Sequence, residues 1–163
     1  MIFVLTGKGK GKTTCALGMG IRAVGAGKKV LMVQFLKTGD SSENKVISRI
    51  ENFDSRAFGR RGFAPFSKRD AVLAERAMEF LEKEAGKYQF LIMDEINVAL
   101  EHNLLDIKRV LSFLGAHRKN KHMVLTGRGC KKEIIGIADL VTEFREVKHY
   151  FKKSVKAIKG IEF

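Results

Sequence analysis

No apolar run in this chain reaches the about 18 residues that a membrane span needs. Residues 1–6, ahead of the first glycines, are too few for a secretory signal. No membrane association is expected. Cysteine is scarce. Cys15 and Cys130 are far apart and form no CxxC pair, which argues against a zinc site and a disulfide framework. Two free thiols suit a reducing compartment, so a cytoplasmic protein is expected. The four histidines, His102, His117, His122 and His149, show no ligand spacing and read as surface or capping residues. Pro65 is the only proline, and no Pro/Ser linker, internal repeat or low-complexity segment marks a boundary. One domain over residues 1–163 is expected, long enough for a sizeable core.

Acidic residues are also in short supply: 18 against 31 basic ones, a net charge of +13. Such an excess favours polyanions, whether nucleic acid, anionic lipid or nucleoside triphosphate. A lysine-rich solvated surface explains it equally well, because the basic residues are spread along the chain. With 45% hydrophobic and 30% charged residues, the chain reads as soluble and globular rather than disordered.

What is present is an alternation of short apolar runs and helical patterns. Ile2–Thr6, Lys29–Phe35, Phe90–Met93 and His122–Leu125 read as buried strands, and Leu140–Val147 as a candidate fifth. Helices are expected from Lys12 to about Ala26, from Ser67 (with Asp70 as a capping box) to near Gly86, from Asp106 to about Leu114, and over Lys132–Ala138. Lys37–Asn44 reads as polar loop, and Ser55–Ser67 as an irregular stretch rich in Arg, Gly and Phe. The pattern predicts an α/β domain with a mainly parallel sheet and helices on both faces. Such sheets bind ligands beyond the carboxyl ends of their strands. Three of the four firm strands end there in polar motifs.

The first motif is Gly7–Lys8–Gly9–Lys10–Gly11–Lys12–Thr13–Thr14, between a buried strand and a helix. Glycines let successive N–H groups surround phosphate oxygens, and the helix N-terminus adds its dipole. Lys12 supplies a charge, and the Thr13 hydroxyl can ligate Mg²⁺. The strict phosphate-loop pattern wants glycine at position 6; this chain has Thr6, and its first glycine comes one residue late. The second motif, Asp94–Glu95, places acids at a strand end, where they can hold Mg²⁺ or merely charge a helix N-terminus. In the third, Thr126–Gly127–Arg128–Gly129, Arg128 either contacts phosphate or decorates a turn. For Arg60–Phe66, spacing alone favours a loop pinned to the core by Phe63 and Phe66 over a flap that stacks on a planar ligand.

Several segments, in order, resemble the CobA type of ATP:cob(I)alamin adenosyltransferases. They are Gly7–Thr14, Arg22–Gly27 (RAVGAG), Val33–Leu36 (VQFL), Met93–Val98 (MDEINV), Leu125–Cys130 (LTGRGC), Ala138–His149 and Lys159–Phe163. The match is weak between Lys37 and Phe66. The resemblance implies a RecA-like P-loop NTPase domain and a homodimer. It implies ATP and a corrinoid as substrates, and an electron donor that reduces Co(II). Gly7–Thr13 would hold the triphosphate, with ATP reversed relative to ordinary P-loop NTPases. Thr13 and Glu95 would lie near Mg²⁺ or Mn²⁺. Phe63 stands where the family has an aromatic that displaces the lower axial ligand of the corrinoid. Phe66 substitutes for a family Trp whose place Pro65 takes. On this reading Lys12, Glu95 and Phe63 carry the catalytic work.

The chain also departs from the family. Lys8 replaces Asn or Asp, and Lys152 and Ser154 replace Asp and Gly. The N-terminal helix that covers the corrinoid in many members is expected to be absent or otherwise supplied. The alternatives are a P-loop ATPase that binds nucleic acid through its basic surface, with Asp94–Glu95 activating water, or a nucleotide-gated binding module without turnover. The resemblance implies no nucleic-acid partner.

Overall fold

The computed structural model describes residues 1–62, 65–150 and 157–161. Its centre is a sheet of six strands: β1 (Ile2–Thr6), β2 (Val30–Phe35), β3 (Phe53–Phe58), β4 (Phe90–Asp94), β5 (His122–Thr126) and β6 (Leu140–Glu143). Their order is β3-β2-β4-β5-β1-β6, and every pairing is parallel. The helices are α1 (Lys12–Gly25), α2 (Ser42–Ile47), α3 (Lys68–Glu84), α4 (Ile96–Glu101), α5 (Ile107–His117) and α6 (Lys132–Ile137).

The central strands are apolar without interruption because both faces are covered. Successive residues of β4 divide between two cores: Leu91 and Met93 pack with α3, α4, α5 and α6, while Phe90 and Ile92 pack with α1 and α2. In β2, Leu31, Val33 and Phe35 face the first core and Val30 and Met32 the second. This is the alternation that a pleated strand dictates. The α/β class and the helices on both faces hold as expected.

Four elements differ from the sequence reading, among them helix α4, which lies outside the expected helices. The segment taken as irregular contains β3, which pairs with β2 alone and carries Asp54, Ser55 and Arg56 in its middle. As an edge strand it is anchored only at its ends, by buried Phe53 and partly buried Phe58, so it lacks the apolar run that marks its neighbours. The polar loop after β2 turns into the short helix α2, which buries only Ile47. The fifth expected strand is shorter than expected and exposed throughout, at the opposite edge. The capping box at α3 is present: the backbone N–H and hydroxyl of Ser67 both donate to Asp70 Oδ2 at 2.8 Å.

The parallel arrangement brings four strand ends to one rim. β1 delivers the glycine loop, β4 delivers Asp94–Glu95, β5 delivers Thr126–Arg128, and β2 delivers Leu36–Lys37.

Candidate active site

The glycine loop turns sharply after β1. Thr6 is still a strand residue, in register with Glu143, and the first positive φ (97°) falls at Gly7. The glycine that the strict pattern places at position 6 is therefore needed one residue later. The loop leans on the segment after β6: the Gly9 N–H donates to the Phe144 carbonyl at 2.7 Å, and a Cβ on Gly9 would come 2.8 Å from it. Helix α1 then begins at Gly11 with no side-chain cap and no acid in its first turn. Its N-terminal N–H groups are left for an anion.

Lys12 is nearly buried and folds back on its own loop, donating to the Gly7 and Gly9 carbonyls at 2.8 Å each. Burial pushes its pKa down, against the pull of Glu95. Arg128 and Lys37 push the same way as burial, so positive charge is concentrated here. Lys10 bends outward, donating to the Ile161 carbonyl at 2.7 Å.

Asp94 is fully buried and gathers the rim together. Its Oδ1 accepts from Thr13 Oγ1 (2.9 Å) and from Thr126 Oγ1 (2.6 Å). Its Oδ2 accepts from Lys37 Nζ (2.7 Å) and Gln34 Nε2 (3.4 Å). One carboxylate thus joins α1 to the ends of β2, β4 and β5, and a buried carboxylate requires such partners. Sequence reading named Asp94 and placed Thr126 in a strand-end motif without a role, and it missed Lys37 and Gln34. The visible signal was Gln34, a polar residue inside the apolar run VLMVQF that had to find a buried partner.

Glu95 differs from its neighbour. It sits at φ 63°, with its N–H held by Thr126 Oγ1 at 2.9 Å. Burial, and then the charge of Asp94, raises its pKa; Lys37, Lys12 and Arg128 act the other way. A cleft of about 340 Å³ contains Glu95 together with Lys8–Thr14, Lys37, Arg128 and His149. A hard divalent cation fits these residues. Thr13 donates its proton to Asp94, so its oxygen presents lone pairs to cationic partners, one of them facing Lys37 Nζ at 3.2 Å, and Glu95 is a carboxylate in need of positive charge. Among the described residues no group of three or more His, Cys, Asp and Glu side chains could hold a metal. Mg²⁺ does not require one, since it takes one or two protein oxygens and completes its shell with phosphate and water.

A second pocket of about 370 Å³ continues the cleft. It shares Lys12, Glu95 and Arg128 and adds Leu36, Phe66, Val98, Glu101 and His102. Phe66 packs on the core below and meets His102 in a tilted ring contact, with centroids 4.5 Å apart. The loop that carries it is tied down by Arg60, which donates to both oxygens of Asp70 and to the Pro65 carbonyl. Phe63 lies outside the described residues, as do Lys152 and Ser154. The histidines correct the sequence reading in part. His102 does cap α4 and His117 ends α5, but His122 starts β5 with its Nδ1 buried and unpartnered. His149 lines the cleft.

Among the described residues no helix is long and apolar enough to cross a membrane. The family model described as ATP:corrinoid adenosyltransferase BtuR/CobO/CobP matches residues 1–163. A corrinoid adenosyltransferase of Pseudomonas aeruginosa is 38% identical, covering all of this chain and 83% of the relative. One from a Sinorhizobium species is 35% identical, covering all of this chain and 80% of that protein. The corrinoid adenosyltransferase CobA of Salmonella typhimurium is 34% identical, with 100% and 85% coverage. With its glycine loop and acidic pair meeting at one rim, the chain belongs to the ATP:corrinoid adenosyltransferase family and transfers an adenosyl group from ATP.

Proposed function

We propose that the reaction is a single direct displacement: Co(I) of the corrinoid substrate attacks C5′ of ATP, and triphosphate leaves. The Co(I) electron pair forms the Co–C5′ bond, and the C5′–O5′ pair departs on triphosphate. The observation that carries this reading is the two-part cleft: the glycine-loop cleft adjoins, through shared lining residues, the pocket walled by Leu36, Val98, Phe66 and His102. The first part is lined by the glycine loop and by more cations than acids, for the triphosphate, and the second adds Leu36, Val98, Phe66 and His102 beside Glu101, for the planar ligand. Lys12, Glu95 and Arg128 stand at their junction.

The chain's own residues then have three tasks. Gly7–Thr14 bind the triphosphate through backbone N–H groups, the α1 N-terminus and Lys12, which turns from its loop carbonyls to phosphate. Thr13 and Glu95 hold Mg²⁺ or Mn²⁺, which supplies charge neutralisation for the leaving group. Arg128 adds a fixed charge at the same place. Phe66, with Phe63, meets the corrinoid; displacing a lower axial ligand eases reduction of Co(II) to Co(I). No protein nucleophile is required. Cys130 is half-buried and pushed up to about 11 by desolvation, which makes it inert at neutral pH. An electron donor for Co(II), a homodimer and a cytoplasmic setting complete the proposal.

The test is an anaerobic absorbance assay with ATP and chemically reduced cobalamin, with the phosphate product identified. Adenosylated corrinoid with stoichiometric triphosphate is the expected result. ADP and phosphate would instead indicate an ordinary ATPase.

A further inference from the structure

Lys37 occupies a place that nucleotide binding alone does not explain. Its ammonium lies 2.7 Å from Asp94 Oδ2 and 3.2 Å from Thr13 Oγ1, while the side chain is only about a fifth exposed. The backbone beneath it is fixed. Leu36 sits at φ 60° and donates its N–H to the Phe58 carbonyl at 2.9 Å. Gly59 passes so close that a Cβ there would collide with the Lys37 amide. The lysine is therefore aimed at this spot by two strand ends.

Thr13 Oγ1 gives its proton to Asp94 Oδ1, so Lys37 takes a lone pair on that same oxygen. The ammonium is held here by its ion pair with the fully buried Asp94 carboxylate. A divalent ion on Thr13 and an ammonium on Thr13 repel strongly in a poorly hydrated site. Lys12 is a different case: it leaves only neutral carbonyls when it turns toward phosphate.

We propose that Lys37 is a place-holding cation. In the nucleotide-free protein it neutralises Asp94 and covers Thr13. When magnesium-loaded ATP enters the cleft that Lys37 lines, the ammonium leaves Thr13 for a phosphate oxygen and becomes a positioning residue for the triphosphate. The divalent ion is then admitted with the nucleotide rather than before it. This inference rests on the reading that Thr13 and Glu95 hold the metal.

The experiment titrates Mn²⁺ alone into nucleotide-free wild type and Lys37→Gln, followed by electron paramagnetic resonance of free Mn²⁺. Calorimetric binding of magnesium-loaded ATP to both is measured alongside. Removing a competing cation should tighten Mn²⁺ binding about tenfold or more. Losing a charged phosphate contact should weaken binding of magnesium-loaded ATP about tenfold. Unchanged or weaker Mn²⁺ binding in the variant overturns the proposal, and so does unchanged ATP affinity. A merely structural ion pair would lower the variant's Tm without tightening Mn²⁺. Should Lys37→Gln not fold, nitrogen NMR of the wild-type lysine ammonium groups decides, with Lys37 assigned by its loss in Lys37→Arg. Its resonance moves on adding magnesium-loaded ATP if the proposal holds and stays in place if it does not. Wild-type protein that binds no magnesium-loaded ATP would instead remove the underlying assignment of the site, a failure distinct from the others.

Discussion

The two halves of the cleft are built by different means. The nucleotide half hangs on one fully buried carboxylate, Asp94, which ties together residues from four elements. The aromatic half depends on a loop anchored by Arg60 to Asp70 at the start of α3, with Phe66 only partly buried. Buried, mutually satisfied polar groups fix a geometry before ligand arrives. A surface loop held at one point by a half-exposed guanidinium leaves more freedom. On the proposed function, the half assigned to the triphosphate is the more tightly bonded one, and the half assigned to the bulky planar substrate is the more adaptable one.

The sharpest way to break this contrast is Asp94→Ala. It strands Lys37 beside the core and frees Thr13, Thr126 and Gln34 together. A loss of about 3 kcal/mol is expected from breaking a buried ion pair, measured by urea unfolding, and ATP binding should fail with it. If stability barely changes, Asp94 is not the organiser of the rim.

Lys12→Ala should act on binding and leave the fold alone, since its amine touches only loop carbonyls. Calorimetry should show about 1.5–3 kcal/mol less favourable ATP binding, with an unfolding midpoint near that of wild type.

Phe66→Ala probes the adaptable half. ATP affinity should stay within about 0.5 kcal/mol of wild type. Adenosylation should slow when the assay starts from Co(II), and much less when it starts from Co(I). Equal losses from both would reduce Phe66 to a packing residue of its loop.

The smallest effect concerns the loop anchor. Hydrogen bonds from Arg60 and then Ser67 hold the Asp70 pKa at about 2, below its ordinary 3.8. A depressed carboxylate stabilises the fold fully above its unfolded pKa, and this is lost as pH falls through the folded one. Acid unfolding of wild type should therefore steepen between about pH 4 and 2, while Asp70→Asn should lack that component.

The same contrast governs what could be read from the sequence. β1, β2, β4 and β5 were legible because buried parallel strands are unbroken apolar runs, and their polar endings marked the rim. β3 was not, because an edge strand anchored only at its ends, by Phe53 and Phe58, tolerates Asp54 and Arg56 in its middle. The glycine loop and Glu95 were legible as motifs. Lys37 was not, because its meaning comes from Asp94, a partner 57 residues away that only the β2–β4 register brings alongside. His102 was set aside for want of ligand spacing, yet α4 turns it onto Phe66. A ring contact across elements leaves no periodic trace in sequence.

On the proposed function the protein positions C5′ and stabilises triphosphate without forming a covalent bond to the adenosyl group. ATP made stereospecifically deuterated at C5′ tests this directly, with the configuration of the adenosylated corrinoid read by NMR. One displacement at C5′ inverts the centre, and inversion is the expected result. Retention would require two successive displacements, the first by a group on the enzyme, and would contradict the account.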